Sequence, residues 1–205
     1  YNKELKGILF DIQRFSVNDG PGIRTNLFFK GCPLRCKWCA NPEGLERKMQ
    51  VMFKKSACID CGACAAACPE GIHVLSGDTG KHVVLRDKTC TGCRKCVAVC
   101  PQNALEITGE MKTVSELLKL VEDAAFYELS GGGVTLTGGE CTSQPEACKN
   151  LLMACRQEGI HTAIETCGQI GTEKLLEIAG YVDLFLFDIK HMDPERHNEL
   201  TGMSN

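Results

Sequence analysis

The chain has 205 residues, 43% of them hydrophobic, which is enough for one substantial domain or a domain carrying an insert. A net charge of −3 gives no general basic field, and so argues against nucleic acid or an anionic membrane as a partner. Tyr1–Gln13 has no basic head followed by an apolar run, so the fifteen cysteines point to metal rather than to disulfides in a secreted chain. The expectation is a soluble cytoplasmic protein that needs low oxygen. The longest apolar stretch, Tyr181–Ile189, is interrupted by Asp183 and Asp188 and is too short to cross a bilayer.

Leu5–Asp11 reads as a short strand, and Asn18-Asp19-Gly20-Pro21-Gly22 as a turn. Ile23–Lys30 reads as a buried strand that delivers the chain to Cys32-Pro33-Leu34-Arg35-Cys36-Lys37-Trp38-Cys39. Three cysteines at this spacing fit one face of a cubane 4Fe–4S cluster, which usually takes four thiolates. No fourth cysteine lies nearby in this loop. Three protein ligands with one open position mark a catalytic metal centre rather than a structural one. A zinc loop is the plainer alternative. Trp38 is either a core residue or the wall of a pocket for a planar ring, and the loop alone leaves both open.

A different pattern begins near Gln50. Cys58-x2-Cys61-x2-Cys64-x3-Cys68-Pro69 is repeated as Cys90-x2-Cys93-x2-Cys96-x3-Cys100-Pro101, and Gly71–Leu75 echoes Asn103–Ile107 at the same offset. This is the two-cluster ferredoxin spacing, in which the last cysteine of each run ligates the other cluster. One cluster is therefore expected on Cys58, Cys61, Cys64 and Cys100, and the other on Cys90, Cys93, Cys96 and Cys68. With all eight positions filled, these clusters are closed. They carry electrons to, or tune, the open centre.

From Thr113 onward helices alternate with strands. Thr113–Tyr127 is predicted helical, with Thr113 as N-cap and Glu116 three residues on. The chain continues as strand Val134–Thr137, helix Pro145–Glu158, strand Ile160–Glu165, helix Thr172–Ala179, strand Leu184–Ile189 and a helix from Pro194 to Leu200. Such alternation predicts a parallel sheet with right-handed crossovers and chemistry at the C-terminal strand ends. Cys32–Cys39, Gly138–Glu140, Glu165–Thr166 and Asp188–Lys190 all fall on that edge and converge on one site. The paired glycines let a ligand approach the backbone, or form a plain turn. Glu140 offers a carboxylate to an ammonium group. Asp188 and Lys190, two apart on a strand, share a face and either hold a ligand carboxylate or bridge each other. An ammonium partner, a carboxylate partner and an open cluster together suit the amino-acid end of S-adenosylmethionine. The remaining cysteines, Cys141, Cys148, Cys155 and Cys167, read as small core residues, and the histidines show no metal-site spacing.

Cys-x3-Cys-x-Trp-Cys with the following Asn41-Pro42-Glu43, the lead-in Asp19-Gly20-Pro21-Gly22-Ile23-Arg24-Thr25, and Gly-Gly-Glu together resemble the radical S-adenosylmethionine superfamily. More narrowly they resemble its glycyl radical enzyme activating enzymes, the larger of which carry a similar ferredoxin insert. The resemblance covers nearly the whole chain. It implies an α/β fold, a partial (βα) barrel of radical SAM type with an inserted two-cluster ferredoxin-like domain. The barrel would occupy residues 1–49 and 109–205, and the insert residues 50–108. It implies that Cys32, Cys36 and Cys39 hold the catalytic cluster, that adenine lies on the Trp38–Ala40 backbone, and that the amino group of S-adenosylmethionine meets Gly138, Gly139 and Glu140. The carboxylate would lie near Asp188, Ile189 and Lys190, with a monovalent cation near Glu165, Thr166 and Asp188. In all, three 4Fe–4S clusters are implied. The partners implied are a glycyl radical enzyme and an electron donor such as flavodoxin or ferredoxin. Two stretches, Ile160–Thr166 and Asp188–Asp193, look similar to activators of arylacetate decarboxylases, with dehydratase and lyase activators close behind.

The chain departs from the family pattern at Cys141, where many relatives carry proline, and at Glu165, where some carry aspartate. About four strand–helix units are visible where six are usual, and a further ligand-contacting histidine is expected beyond Asn205. The expectation is a C-terminally truncated chain with poor activity by itself. Two rival functions stand beside the activating enzyme: a radical enzyme acting on a small molecule, and a ferredoxin-type electron carrier.

Overall fold

The computed structural model describes residues 1–122 and 126–205. The chain divides into one unit of Tyr1–Arg47 with Met111–Asn205 and a second of Lys48–Glu110. The first unit opens with β1 (Lys6–Ser16) and β2 (Arg24–Phe29). The second contains β3 (Gln50–Phe53), α1 (Ala63–Ala67), β4 (His73–Leu75), β5 (His82–Val84), α2 (Lys95–Ala98) and β6 (Leu105–Thr108). After β7 (Glu110–Thr113) come α3 (Val114–Glu122), α4 (Phe126–Ser130), β8 (Gly133–Gly138), α5 (Pro145–Gln157) and β9 (His161–Thr166). The chain ends with α6 (Thr172–Ala179), β10 (Leu184–Phe187) and α7 (Pro194–Thr201). No described helix is long and apolar enough to cross a membrane.

The first unit is built on a six-stranded sheet in the order β10-β9-β8-β2-β1-β7. β2, β8, β9 and β10 are parallel, as the alternation of helices and strands predicts. β1 departs from that pattern. It runs eleven residues and pairs antiparallel with β2, Leu9 opposite Phe29 and Ile12 opposite Leu27. The connection Val17–Ile23 is a short turn, and a parallel neighbour needs a crossover of a dozen residues or more.

Register explains how the two faces differ. Leu27 lies beside Leu136, and Leu136 beside Ile164, with Thr25 and Val134 on the same face. This face is buried together with Val114, Leu117 and Val121 of α3, Leu151, Leu152 and Cys155 of α5, and Ile178 of α6. The opposite face is polar yet largely buried. The Arg24 guanidinium donates to Thr135 Oγ1 (2.6 Å) and to the Val134 carbonyl (2.7 Å), and it approaches His161 Nδ1 at 3.2 Å. Asn26 donates to Asp19, and Thr137 Oγ1 donates to Glu165 Oε2 at 2.5 Å. Burial lowers the Arg24 pKa, while Tyr127, Asp183 and Asp19 act in the other direction.

The helix expected over Thr113–Tyr127 is described as α3 and α4; residues 123–125 lie outside the described residues. Its start is a reciprocal capping box. Glu116 N–H donates to Thr113 Oγ1 (3.1 Å), and Thr113 N–H donates to Glu116 Oε2 (2.7 Å). Cys141, Cys148 and Cys155 are fully buried, as small core residues, and burial pushes the Cys155 thiol up to about 12.

In the second unit β3 pairs antiparallel with β6, and β4 with β5. Both short helices start from a left-handed residue, Gly62 (φ 75°) before α1 and Arg94 (φ 58°) before α2, so the cysteine repeat is also a backbone repeat. Val51, Ile72, Leu105 and Ile107 pack with Cys64 and Cys96 into a small core.

Candidate functional site

The parallel strands of the first unit all end on one edge, and the segments that follow them enclose a cavity of about 260 Å3. Its walls include Cys32, Cys36, Trp38, Cys39 and Ala40 after β2, and Gly138, Gly139 and Glu140 at the end of β8. Glu165, Thr166 and Cys167 enter from β9, and Asp188 and Lys190 from the chain after β10. Every residue expected at the site from sequence lines this cavity except Ile189. Lys190 and the exposed Asp188, on either side of it, both line the cavity, whereas the exposed Ile189 does not.

The cysteine loop is fixed by backbone hydrogen bonds at its start and in its middle. Gly31 N–H donates to the Gly44 carbonyl (2.7 Å) and Cys32 N–H to the Leu45 carbonyl (3.0 Å). In the middle, Arg35 N–H donates to the Thr201 carbonyl (2.6 Å) and Lys37 N–H to the Leu200 carbonyl (3.0 Å), so the last turn of α7 clasps the loop. The Arg35 guanidinium folds back onto the Cys32 and Leu34 carbonyls. Leu34 is buried and anchors the loop, while Trp38 is half exposed at the cavity wall and is not a core residue.

Three thiols, Cys32, Cys36 and Cys39, thus reach one cavity. Cys32 is held low, at about 7, chiefly by a hydrogen bond from Cys167, with burial opposing. Cys167 is pushed up by the same bond and by burial, so it stays a thiol. Burial raises Cys36, and the nearby Lys190 opposes that rise. A neutral-pH thiolate among three convergent thiols is a donor set that fits a cluster needing three thiolates. Cys167 corrects its sequence reading as a core residue: it lines the site and bonds Cys32. Its position directly after Glu165-Thr166 at a strand end was the available signal.

Glu140 is 98% buried, and its carboxylate is turned inward rather than offered freely to a ligand. Oε1 accepts from Thr142 N–H (3.1 Å), Thr142 Oγ1 (2.7 Å) and Thr166 Oγ1 (2.8 Å), and Oε2 accepts from Cys167 N–H (2.8 Å). The side chain ties the end of β8 to the end of β9, with Oε2 keeping the greater free capacity for an ammonium donor. Glu140→Gln puts an amide NH2 against one of these N–H groups, and about 2 kcal/mol of stability is expected to be lost. Urea titration of the variant beside Glu146→Gln, an exposed change expected to cost under about 0.5 kcal/mol, checks this.

Asp188 and Lys190 lie beyond β10, which ends at Phe187, so they do not share a strand face as the sequence predicts. They pair with each other. Burial opposes the Lys190 charge most strongly, but the hydrogen bond to Asp188, together with the negative charge of Asp188, Cys36 and Cys167, outweighs it and holds the ammonium pKa above its ordinary value.

In the second unit one cavity is lined by Cys58, Cys61, Cys64 and Cys100, and another by Cys68, Cys90, Cys93 and Cys96. Each is a set of four thiols drawn from both runs, a donor set suited to a closed 4Fe–4S cluster.

A family model described as the Radical SAM superfamily matches residues 89–205, one described as a 4Fe-4S dicluster domain matches residues 52–107, and one described as a 4Fe-4S single cluster domain matches residues 18–79. The chain is 56% identical over 203 residues to the choline trimethylamine-lyase activating enzyme of Oleidesulfovibrio alaskensis, covering 98% of this chain and 66% of that protein. It is 46% identical over 200 residues to the trans-4-hydroxy-L-proline dehydratase activating enzyme of Clostridioides difficile, covering 97% and 65%. To the indoleacetate decarboxylase activating enzyme of Tractidigestivibacter scatoligenes it is 41% identical over 209 residues, covering 98% and 66%. The chain therefore spans just under two thirds of the length of these relatives.

Proposed function

This chain belongs to the radical SAM superfamily and, within it, to the glycyl radical enzyme activating enzymes, and from that premise we propose that it installs a glycyl radical on a partner enzyme. The carrying observation is that three thiols and the polar groups of three further strand ends line one cavity. A 4Fe–4S cluster held there by Cys32, Cys36 and Cys39 would supply, once reduced, the one electron needed to cleave S-adenosylmethionine to methionine and a 5′-deoxyadenosyl radical, which would take a hydrogen atom from a backbone glycine of the partner.

The chain's own residues bind and orient. Cys32, Cys36 and Cys39 hold the catalytic cluster, and the clasp from α7 keeps their loop in place. Gly138 and Gly139 leave the backbone bare where the amino group lies, and Glu140 Oε2 accepts from it. Trp38, Cys39 and Ala40 receive the adenine. The Lys190 ammonium meets the ligand carboxylate at the cost of its bond to Asp188. Glu165, Thr166 and Asp188 are read as a monovalent cation site: burial raises the Glu165 carboxyl, the Thr137 hydroxyl opposes this, and Asp19 and Asp188 raise it further, so a cation would relieve the crowded acids.

The eight cysteines of the second unit hold two closed clusters that pass electrons from a flavodoxin- or ferredoxin-type donor, giving three 4Fe–4S clusters in all. The sheet, with helices on its apolar face and buried polar groups on the other, is read as part of a (βα) barrel. The partner is read as a lyase of the choline trimethylamine-lyase kind, which the 56% identity supports over the arylacetate decarboxylase favoured by the short stretches.

The test is anaerobic incubation of the cluster-loaded protein with reductant, S-adenosylmethionine and a glycyl radical lyase of that kind. The expected result is 5′-deoxyadenosine together with a glycyl radical signal by electron paramagnetic resonance. 5′-Deoxyadenosine without a radical on any lyase, dehydratase or decarboxylase offered would instead favour a small-molecule substrate.

A further inference from the structure

The two cysteine runs of the second unit are copies offset by 32 residues, yet their surroundings differ at two histidines. One backbone contribution is the same in both halves: Asp60 N–H donates to Cys58 Sγ at 3.4 Å, and its counterpart Gly92 N–H donates to Cys90 Sγ at 3.4 Å, while Cys100 Sγ also accepts from Ala104 N–H at 3.3 Å. His73, however, has Leu105 as its counterpart. His82 comes from β5, which pairs with β4 so that Leu75 faces His82 and His73 faces Val84. The two histidines are thereby diagonal neighbours on one face, and His73 Nδ1 lies 2.9 Å from His82 Nε2.

Both rings are more than nine-tenths buried. His82 packs edge-on against Phe53, and its backbone N–H donates to Asp60 Oδ1 (2.8 Å), the residue whose own N–H meets Cys58. His82 lines the cavity of Cys58, Cys61, Cys64 and Cys100, with Nδ1 3.9 Å from Cys58 Sγ. His73 lines the other cavity, and its Nε2 is buried without a hydrogen-bond partner among the described residues.

Two neutral imidazoles sharing one hydrogen bond have two arrangements. In the first, His73 Nδ1–H donates to His82 Nε2, His82 Nδ1–H donates to Cys58 Sγ, and the unpartnered His73 Nε2 is a bare acceptor. In the second, His73 Nε2–H is a buried donor without a partner, and the His82 Nδ1 lone pair faces the lone pairs of a ligating thiolate. An orphaned buried N–H is the rarer and costlier defect, so the first arrangement wins.

We infer that His82, oriented by His73, donates a hydrogen bond to Cys58 and makes the cluster of Cys58, Cys61, Cys64 and Cys100 easier to reduce than its partner. A donor to a ligating sulfur stabilises the more negative, reduced state. Among the described residues, the cluster of Cys68, Cys90, Cys93 and Cys96 receives the counterpart of the Cys58 backbone donor and no imidazole bond. Two clusters made alike by the repeat are thus set apart in potential, which gives electron passage through the unit a preferred resting place. The inference rests on the reading that these eight cysteines hold two 4Fe–4S clusters.

The experiment is a potentiometric titration of the cluster-loaded protein followed by electron paramagnetic resonance, after iron and sulfide have been counted. Cys61→Ser identifies which signal belongs to which cluster. In His82→Phe the reduction equilibrium of the Cys58-containing cluster is expected to fall about tenfold, or about 59 mV, while the other cluster stays put. His82→Gln, which keeps an N–H, recovers part of the shift. His73→Leu, the residue already present at the counterpart position, shifts the same cluster in the same direction by less. Loaded protein in which neither His variant moves that potential, or in which only the other cluster moves, overturns the inference alone. Protein that takes up no iron at these eight cysteines overturns both the inference and the reading beneath it.

Discussion

Cys36→Ala is expected to abolish 5′-deoxyadenosine formation and to remove about four irons per chain, leaving the iron of the second unit in place. Cys36 is the cleanest of the three thiols to remove. Cys32 is hydrogen-bonded to Cys167, so its loss also disturbs the end of β9. Cys36 is partly buried, and its loop is held by the backbone bonds of Arg35 and Lys37 to α7, which an alanine keeps. The fold should therefore persist while the donor set falls from three thiols to two. A three-thiolate cluster has no protein ligand to spare, because its fourth iron must stay open. Product assay, iron content and a urea titration on the same preparation separate the effects. Lost product with an unchanged unfolding midpoint and about four fewer irons is the expected triad. Product retained near the parent level would remove Cys32, Cys36 and Cys39 from the chemistry. A lowered midpoint with full iron content would make Cys36 a packing residue.

What could be read in advance depended on how local each signal was. The capping box at Thr113 and Glu116 involves residues three apart, and the structure forms both of its hydrogen bonds. The cysteine runs carry their pairing in their spacing, and the two cavities of the second unit are lined by the sets that spacing predicts. Strand-end convergence followed from the alternation of helix and strand, which fixes direction without fixing contacts. The unforeseen features depend on partners remote in sequence. Glu140 takes bonds from Thr166 and Cys167 across two strands, which no motif around Gly-Gly-Glu encodes. Cys167 looked like Cys148 or Cys155, because a small apolar thiol reads alike at a strand end and in a helix. Asp188 and Lys190 have strand-like spacing, yet β10 stops one residue short of them. β1 reads as one more strand, and only the short turn before β2 makes it antiparallel.

Gly139→Ala should be as damaging to the site as losing a ligand, by a wholly different route. A Cβ at position 139 would sit 2.5 Å from the Gly44 carbonyl oxygen and 2.7 Å from the Gly31 carbonyl oxygen, both backbone atoms with no rotamer to yield. Those two residues frame the cysteine loop, since Gly31 N–H donates to Gly44 O, and Glu140 N–H in turn donates to Gly31 O at 2.8 Å. Relief therefore requires moving β8 away from the loop, or opening the Gly31–Gly44 contact itself. Either movement withdraws Cys32 from the cavity and the Glu140 carboxylate from Thr166. Overpacking of this kind costs roughly 1–3 kcal/mol, and more where backbone must shift. A displacement of about 1 Å in a positioned site costs on the order of a hundredfold in rate. The expected result is a variant destabilised by about 3 kcal/mol in urea, with 5′-deoxyadenosine formation reduced at least about a hundredfold. Gly180→Ala is the control, because a Cβ there meets nothing within 4 Å among the described residues, and both quantities should stay near the parent values. A Gly139→Ala protein with parent-like activity would mean that β8 and the cysteine loop are not packed backbone to backbone. The cavity they enclose could then not be the site at which the chain does its chemistry.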